Sequence, residues 1–332
     1  MKQFEYCVCI GRFQPFHCGQ SELIKEALEL ANTVLIVIGS ANKAPNIQDP
    51  WSVSQRKEMI LSALSDEEKA CVKFLPVRDY LYTNNKWLTE VQSLVYSITD
   101  GLEDNKTCNL GDVSFFPQWK FHKMRSLDRM PSASIIRGLY FTHDIAYKAH
   151  VHPNVAQYLE EFKTTESFKN LKEEYDFIKR YKEAWSGAPF KPTFVTTDAI
   201  VARSGHILLV RRKGNPGKGL LALPGGFLNQ NETAQDGAIR ELKEETSIKL
   251  SKEELHKAVV DQKVFDLPNR SLRERTVTIA FLLDLKSGPL IQVKGGDDAS
   301  HAFWMSLSEL ESRESEFFED HFHIISHFVS KF

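Results

Sequence analysis

The segment GGFLNQNETAQDGAIRELKEETSI occupies residues 225–248 and joins a glycine pair to a helical pattern rich in carboxylates. Its fixed positions are Gly226, Glu232, Arg240, Glu241, Glu244 and Glu245. In a helix over 234–245, residues three and four apart share one side, so Glu241, Glu244 and Glu245 crowd together. These like charges call for compensating cations, and carboxylate oxygens suit Mg²⁺ or Mn²⁺ rather than zinc. Arg240 stands four residues before Glu244 and can pair with it.

A solvated acidic helix face is the ordinary explanation of such a charge run. It does not account for Gly226 and Glu232 at fixed offsets upstream. The segment resembles the Nudix box, G-x5-E-x7-R-E-U-x-E-E-x-G-U, with Ser247 where the family has glycine. Glycine relieves a left-handed backbone after the helix, so we expect Ser247 to cost at most about 1 kcal/mol.

The resemblance implies that water attacks a diphosphate with the help of Mg²⁺ or Mn²⁺. It implies a metal site formed by Glu241, Glu244 and Glu245, with the backbone carbonyl of Gly226 completing the coordination. Glu244 either shares a metal or acts on the water, Glu245 is a ligand needed for catalysis, and Arg240 orients the cluster. The general base varies within the family and is not assigned.

Four further stretches, at 210–212, 216–227, 265–276 and 295–304, resemble the ADP-ribose pyrophosphatase branch of Nudix enzymes. This resemblance implies that Arg211, Arg273 and Arg275 bind substrate. Arg273 and Arg275 either bind phosphates or line a polar β-hairpin, and the sequence does not separate these alternatives. Asp297 and Asp298 follow paired glycines in a loop near the expected site, where one of them assists the metal.

The N-terminal part begins with a strand, a glycine loop, a helix and a second strand. Residues 4–11 and 33–40 are apolar runs, and residues 21–32 have helical spacing with Ser21 as the expected cap. This order is a βαβ unit and predicts a parallel sheet.

The loop after the first strand, GRFQPFHCGQ at 11–20, resembles the nucleotidyltransferase signature G-x-F-x-P-x-H-x-G-H in its archaeal-type form, that of nicotinamide mononucleotide (NMN) adenylyltransferases. Its matching positions are Gly11, Phe13, Pro15, His17 and Gly19. A glycine turn leading into a helix favours phosphate binding, because the first N–H groups are free and the helix dipole attracts anions. Arg12 and His17 add donors for charge developing on the transferred phosphoryl group. Gln20 replaces the second histidine; it donates a hydrogen bond but cannot become cationic.

A second motif, SASIIR at 132–137, resembles the S-x-[TS]-x-I-R motif that closes the phosphate site of the same family. Ser132 and Ser134 are therefore expected at the site. We expect Ser134 to cap a helix beneath the ATP phosphates and Arg137, one turn on, to hold them.

Further resemblances concern the ends of the next strands. Gly39 and Ser40 follow the second strand, where ligands gather in α/β sheets. Asp79, Asn85 and Trp87 resemble the stretch that contacts the nicotinamide end of NMN. Trp87 either stacks on that ring or packs into the core.

Two local patterns surround the expected domain boundary. Residues 155–185 are a long polar helical stretch, ended by the Gly- and Pro-containing segment 186–192. Residues 194–212 are typical of a β-hairpin around Arg203-Ser204-Gly205. We therefore place the boundary near residue 187.

Together the two halves resemble the bacterial bifunctional NMN adenylyltransferase/Nudix hydrolases. The expected fold is α/β: a Rossmann-like nucleotidyltransferase domain with a parallel sheet over 1–186, and a Nudix α/β/α sandwich with a mixed sheet over 187–332. The resemblance implies NAD⁺ synthesis from NMN and ATP in one domain, and cleavage of ADP-ribose to AMP and ribose 5-phosphate in the other. Two alternatives stay open: an ADP-ribose pyrophosphatase whose N-terminal domain only binds nucleotide, and a non-enzymatic ADP-ribose sensor.

The amino-acid composition limits the kinds of partner that the protein is expected to bind. A net charge of -2 gives no global attraction to nucleic acid. No stretch approaches the roughly 18 apolar residues of a membrane helix. The five cysteines show no zinc-like pairs and suit a reducing compartment. We expect a cytoplasmic enzyme of small nucleotides, without nucleic-acid or membrane partners; whether it forms a homo-oligomer stays open.

Overall fold

The computed structural model describes residues 2–99, 104–111, 115–125 and 131–329. The chain divides into two compact units, Met1–Lys172 and Glu173–Phe332. The division falls inside the helix Glu166–Glu183. The later turns of this helix pack within the second unit: the ring of Tyr181 contacts that of Phe194 edge to face, with 5.7 Å between the centroids. The domain boundary near 187 remains a prediction.

The first unit is built on a parallel sheet of five strands in the order β3-β2-β1-β4-β5. The strands are β1 (Phe4–Gly11), β2 (Ala31–Ile38), β3 (Val72–Pro76), β4 (Thr107–Gly111) and β5 (Lys120–Lys123). The helices are α1 (Cys18–Leu30), α2 (Val53–Ser62), α3 (Asp66–Ala70), α4 (Asn84–Thr99), α5 (Ala133–Phe141) and α6 (Pro153–Phe162), with 3₁₀ turns at Asp104–Lys106 and Ile145–His150. The predicted βαβ unit and parallel sheet are confirmed.

The register of β1 on β2 places the two glycine-containing loops at one edge of the sheet. Gly11 pairs with Ile38, so both strands end together. Their central residues are apolar and buried on the sheet, which is why the runs are not interrupted by charges. Ligand-binding loops of open parallel sheets lie at this edge.

Two helix boundaries differ from the sequence-based expectation. Helix α1 begins at Cys18 with His17 as N-cap, so Ser21 lies inside the helix and does not cap it. Residues 155–185 form two helices, α6 and α7 (Glu166–Glu183). The break arises because the hydroxyls of Thr164 and Thr165 donate to carbonyls of the preceding turn at 2.7 Å, and Thr165 Oγ1 also accepts from a backbone N–H of α7.

The second unit is a mixed sheet of seven strands with the path β10-β11-β6-β7-β12; β8 pairs with β7, and β9 with β6. The strands are β6 (Phe194–Arg203), β7 (His206–Arg212), β8 (Leu221–Ala222), β9 (Gly225–Phe227), β10 (Val259–Phe265), β11 (Thr276–Asp284) and β12 (Ala299–Ser306). The helices are α8 (Ala234–Thr246), α9 (Lys252–Ala258) and α10 (His321–Val329), with 3₁₀ turns at Leu307–Glu309 and Glu311–Glu316. The described helices of the whole chain include none long and apolar enough to cross a membrane.

The hairpin predicted around residues 203–205 is confirmed. Strands β6 and β7 pair antiparallel through Ala202–Ile207 and Arg203–His206. Ser204 and Gly205 both have positive φ, 48° and 72°, as a two-residue turn with the twist of the strands requires.

Two candidate active sites

Helix α8 has one apolar and one charged side. Thr233 caps it by accepting a hydrogen bond from a backbone N–H of the first turn. Ala238, Ile239 and Leu242 are buried against the sheet of the second unit. Ser247 follows the helix at φ 50° and ψ 26°, the left-handed conformation expected at this position. Burial of the apolar side turns the charged side toward β9.

Arg240 lies at the centre of the acidic residues. It makes two hydrogen bonds to Glu232, at 2.7 and 3.0 Å. Its Nη1 donates to Glu241 Oε1 at 2.7 Å and to Glu244 Oε2 at 2.9 Å. The expected pairing with Glu244 is therefore present. Glu232 lies in the loop before the helix and binds the Arg240 guanidinium from there, which explains its fixed spacing of eight residues from Arg240.

Gly226 permits a close approach of Glu241. A Cβ built on Gly226 would lie 2.4 Å from Glu241 Oε1, far inside van der Waals contact. Burial raises the pKa of Glu241, while Arg240 opposes the rise. The carboxylate is thus held against the backbone of β9 in a poorly solvated position.

Glu245 is the most deeply buried of the three helix carboxylates, with 5% of its surface exposed. Its Oε2 accepts a hydrogen bond from the Gly225 N–H at 3.0 Å. Burial raises the pKa of Glu245 to about 8; the bond from Gly225 and the charge of Arg212 oppose this, and Glu241 and Asp198 add to it. A nearby cation would favour the ionised form.

The carboxylate oxygens of Glu241, Glu244 and Glu245 suit a hard divalent cation, but each carboxylate is hydrogen-bonded to another part of the protein. In the described ranges, no three His, Cys, Asp or Glu side chains are gathered closely enough to hold a metal ion as they stand. Arg240 bonds one oxygen each of Glu241 and Glu244, while one oxygen of Glu245 accepts from the backbone of β9. The carboxylate oxygens and the backbone carbonyl of Gly226 are nevertheless of the ligand type that Mg²⁺ or Mn²⁺ takes.

The three predicted substrate arginines lie in different surroundings. Arg211 donates to the Gly219 carbonyl at 2.5 Å. The Arg273 guanidinium carbon lies 5.0 Å from the ring centroid of Phe227, the residue after Gly226. Arg275 donates to the carbonyl of Asp266 in the β10–β11 connection. Arg273 thus packs on an aromatic ring of β9, and Arg275 is bonded within the β10–β11 connection; the substrate-binding role of both remains a prediction.

The loop with Asp297 and Asp298 closes on the C-terminal end of α8. The Gly296 N–H donates to the Glu245 carbonyl at 3.0 Å. The negative charge of Asp297 contributes to the raised pKa of Glu241. The carbonyl of Asp298 accepts from a backbone N–H beside β7. Of these two aspartates, Asp297 is therefore the one whose charge acts on Glu241.

The sequence-based choice of Arg211 missed its neighbour. Arg212 is half-buried, donates to the Pro216 carbonyl at 2.9 Å, and lies 4.2 Å from the Phe318 ring centroid. Its positive charge opposes the rise in the pKa of Glu245. Successive strand residues face opposite sides, so the Arg-Arg pair required one arginine to face the interior.

The loop of the N-terminal site is fixed by Gln14. Its side chain donates to the Trp51 carbonyl at 2.9 Å and accepts from the Trp51 N–H at 3.0 Å. Phe13 has φ 55°, and its ring would lie 3.0 Å from a Cβ on Gly11. Glycine is therefore required where the strand turns into the loop.

His17 is a partly buried, neutral residue at the start of α1. Burial lowers its pKa to about 4, with further contributions from the charges of Arg137 and His150. Its buried Nδ1 has no hydrogen-bond partner within the described part of the chain. A polar ring atom in this position is suited to a ligand group.

Gln20 occupies the position of the second signature histidine. Its Oε1 accepts a hydrogen bond from the His17 N–H at 3.3 Å. Gly19 is buried in the same helical turn. The glutamine thus steadies the start of α1, while its amide group remains a hydrogen-bond donor.

In the second motif, SASIIR at 132–137, Arg137 contacts the loop of the first motif, whereas Ser134 does not cap the helix. Helix α5 begins at Ala133 with Ser132 as N-cap, so the expected capping by Ser134 is wrong; Ser134 is an exposed residue of the first turn. Arg137 is buried and donates to the Gln14 carbonyl. Burial lowers the pKa of Arg137 to about 10, so it remains a cation at neutral pH.

A residue that the sequence did not reveal, Arg56, holds the edge of the sheet together. Its Nη1 donates to the carbonyls of Arg12 and Gly39 at 2.8 and 2.7 Å, and Nη2 donates to that of Ser40 at 3.2 Å. Arg56 is 1% exposed. The two predicted glycine loops are thus joined through one buried guanidinium.

Arg12 lies beside an ion pair of Asp49 with Lys43 that was not predicted from the sequence. Asp49 is 3% exposed, 2.8 Å from Lys43 Nζ and 3.5 Å from Arg12 Nη1. Burial opposes ionisation of Asp49, but Lys43 and Arg12 lower its pKa below the ordinary value. Arg12 keeps 53% of its side chain exposed, so its guanidinium remains accessible.

The residues expected at the nicotinamide end divide into two groups. Ser40 donates to Asp79 Oδ1 at 3.1 Å, which joins the ends of β2 and β3. Asn85 is exposed at the start of α4. Trp87 is half-buried, with its ring 6.0 Å from Phe115 and near the apolar core, which favours packing for this side chain.

Comparison with known proteins identifies two kinds of domain in the chain. The cytidylyltransferase-like family model matches residues 8–102, and the NUDIX domain model matches residues 192–328. The chain therefore combines a nucleotidyltransferase-type domain with a Nudix domain. A nicotinamide/nicotinic acid mononucleotide adenylyltransferase of Acinetobacter baylyi is 32% identical over 184 residues, which are 53% of this chain and 95% of the relative.

An ADP-ribose pyrophosphatase of Methanocaldococcus jannaschii is 39% identical over 116 residues, 35% of this chain and 63% of that protein. A bifunctional NMN adenylyltransferase/ADP-ribose pyrophosphatase from Francisella tularensis, solved with AMP and a manganese ion, is 37% identical. The match covers 99% of each chain with a TM-score of 0.93. The chain belongs to this family of bifunctional NMN adenylyltransferases/ADP-ribose pyrophosphatases.

Proposed function

We propose that the protein is a bifunctional enzyme of NAD metabolism. The first unit transfers the adenylyl group of ATP to NMN, giving NAD⁺ and pyrophosphate. The second unit hydrolyses ADP-ribose to AMP and ribose 5-phosphate. The observation that carries this proposal is the full-length match to the Francisella relative, together with a separate polar site in each unit.

In the hydrolase, the carboxylates of Glu241, Glu244 and Glu245 and the carbonyl of Gly226 would hold a divalent cation, Mg²⁺ or Mn²⁺. Such a cation polarises phosphoryl oxygens and lowers the pKa of bound water. Arg240 keeps Glu241 and Glu244 on one side of the helix. We assign the diphosphate to the space in front of this cluster.

The arginines around that cluster would bind the substrate. Arg273 presents its guanidinium over the Phe227 ring of β9 and suits the diphosphate or the adenine ring. Arg211 and Arg275 keep backbone contacts and line the outer part of the site. Arg212 balances part of the negative charge behind Glu245.

In the transferase, NMN phosphate attacks the α-phosphorus of ATP in line, and pyrophosphate leaves. No covalent enzyme intermediate is needed, so the residues act by positioning and by charge. Arg12 and Arg137 supply fixed cations, and neutral His17 donates or accepts a hydrogen bond at the start of α1. Gly11, Gly19 and Gln20 shape the turn, and Ser132 and Ser134 line the entrance of α5. Gly39, Ser40, Asp79 and Asn85 are assigned to NMN, whereas Trp87 packs against the apolar core beside them.

The transferase half is tested by incubating the protein with NMN, ATP and Mg²⁺ and following NAD⁺ by chromatography. NAD⁺ should form, and His17→Ala should abolish it while ADP-ribose cleavage continues. If only ADP-ribose is cleaved, the protein is a single-activity hydrolase and its first unit only binds nucleotide. If ADP-ribose is bound and not cleaved, the sensor alternative is correct.

Cytoplasmic localisation and the absence of nucleic-acid and membrane partners remain predictions. Sedimentation at several concentrations would establish whether the chain forms a homo-oligomer. Fractionation of cells would test the localisation.

A further inference from the structure

Two acidic residues late in the second unit bind the loop between β10 and β11. Asp320 forms two hydrogen bonds with Arg270, at 2.9 Å (Nε–Oδ2) and 2.7 Å (Nη2–Oδ1), and both side chains are almost fully buried. Glu319 Oε1 accepts from the Ser271 hydroxyl at 2.8 Å and from the Leu272 N–H at 3.0 Å. Three successive loop residues are thus held by two successive residues of the later segment.

The same segment, residues 318–321, is also bound to the strand region before β9. The Phe318 N–H donates to the Leu221 carbonyl at 2.8 Å. The Leu223 N–H donates to Nδ1 of the buried His321 at 2.9 Å. Residues 318–321 therefore connect the β10–β11 loop to the strand segment that leads to the glycine pair.

The bonded loop leads directly to Arg273. The Arg273 N–H donates to Ser271 Oγ at 3.3 Å, while the same hydroxyl donates to Glu319. The Arg273 guanidinium lies over Phe227, next to Gly226. A continuous set of hydrogen bonds thus runs from Glu319 to the backbone that sets the position of this arginine.

We propose that Glu319 is a positioning residue for diphosphate cleavage: through Ser271 and Leu272 it holds Arg273, the proposed substrate-binding arginine, over the Phe227 ring of β9. This role rests on the proposed ADP-ribose hydrolysis. Asp320 serves the same loop, but its removal would leave a buried unpaired guanidinium and destabilise the whole unit. Glu319 is only partly buried, so its loss should loosen the loop and leave the fold intact.

The test compares Glu319→Ala, Glu319→Gln and a control, Glu309→Ala, which removes an exposed acid ten residues earlier in the chain. Each variant is assayed for ADP-ribose cleavage, and the folded proteins are digested with trypsin without substrate, with cleavage after Arg273 and Arg275 followed by mass spectrometry. Glu319→Ala should raise KM about tenfold while kcat changes less than about threefold, and should speed cleavage after these arginines about tenfold. Glu319→Gln should stay near the wild type in both measurements, because its amide oxygen still accepts both bonds.

The control is matched in charge and differs in its contacts. Glu309 makes a surface ion pair with Arg313 at 3.8 Å, and its side chain is 56% exposed. Such a pair contributes little to stability. Glu309→Ala should therefore leave KM, kcat and the digestion rate at the wild-type values.

Equal behaviour of Glu319→Ala and Glu309→Ala in kinetics and digestion would overturn the proposal. Faster digestion with an unchanged KM would also overturn the positioning role, because the loop would then be anchored without effect on substrate. A fall in melting temperature with kcat and KM unchanged would mean that Glu319 is structural only. If the wild type does not cleave ADP-ribose, the proposed function fails, and the digestion still decides separately whether Glu319 holds the loop.

Discussion

Replacing Gly226 with alanine should impair the hydrolase with little effect on folding. The new Cβ would lie 2.4 Å from Glu241 Oε1 and 2.7 Å from Cδ, about 1 Å inside ordinary contact. Because the carboxylate ends a flexible side chain, it can turn away, and the free energy of unfolding should fall by only about 1 kcal/mol. A displacement of about 1 Å in a reacting site costs about 100-fold in rate, or about 2.7 kcal/mol of activation free energy.

The assay is AMP release from ADP-ribose at saturating Mg²⁺, with urea unfolding of the same protein. Gly214→Ala is the matched control, because a Cβ there meets nothing within 4 Å. NAD⁺ synthesis by the same preparation reports on the first unit. Turnover of Gly226→Ala within about threefold of the wild type, or a loss explained by unfolding, would refute the reasoning.

Four further outcomes are expected. Glu245→Gln should abolish Mg²⁺-dependent ADP-ribose cleavage without lowering the melting temperature, because the amide oxygen can still accept from Gly225; full turnover would contradict its assignment as a ligand. Ser247→Gly should raise the free energy of unfolding by up to about 1 kcal/mol in urea titrations, because the position has φ 50°; destabilisation would mean that the serine makes a stabilising contact. Arg56→Met should lower the unfolding free energy of the first unit by about 3 kcal/mol and abolish NAD⁺ synthesis, since three carbonyls lose their donor; ADP-ribose cleavage should persist. Burial holds the pKa of His17 at about 4, below its ordinary 6.5, so the unfolded state binds a proton at a higher pH than the folded state does. The free energy of unfolding should therefore fall as the pH drops from 6.5 to 4. His17→Asn should flatten this pH dependence, and an unchanged slope would contradict the assignment to His17.

The periodic and closely spaced features of the chain were predictable. The apolar runs of β1 and β2 and the helix between them required a parallel βαβ unit. The four-residue spacing of Arg240 and Glu244 required that they meet on one turn. Such contacts depend only on local geometry, which the sequence specifies directly.

Contacts between distant segments were not predictable. Arg56 looks like any helical arginine, yet its partner carbonyl at Arg12 is 44 residues away. Asp320 likewise lies in an acidic stretch that gives no sign of a buried ion pair with Arg270. The capping error at Ser134 arose because either serine suits the start of a helix, and the backbone decided for Ser132.

The bonds of Arg240 have a consequence for metal loading. A divalent cation that enters between Glu241 and Glu244 has to compete with a guanidinium whose single positive charge already offsets part of their negative charge. Loading is therefore an exchange of one positive partner for another, and its net free energy is smaller than for bare carboxylates. A lower net affinity makes site occupancy depend on the free concentration of divalent ions, so we expect hydrolysis to rise and fall with that concentration.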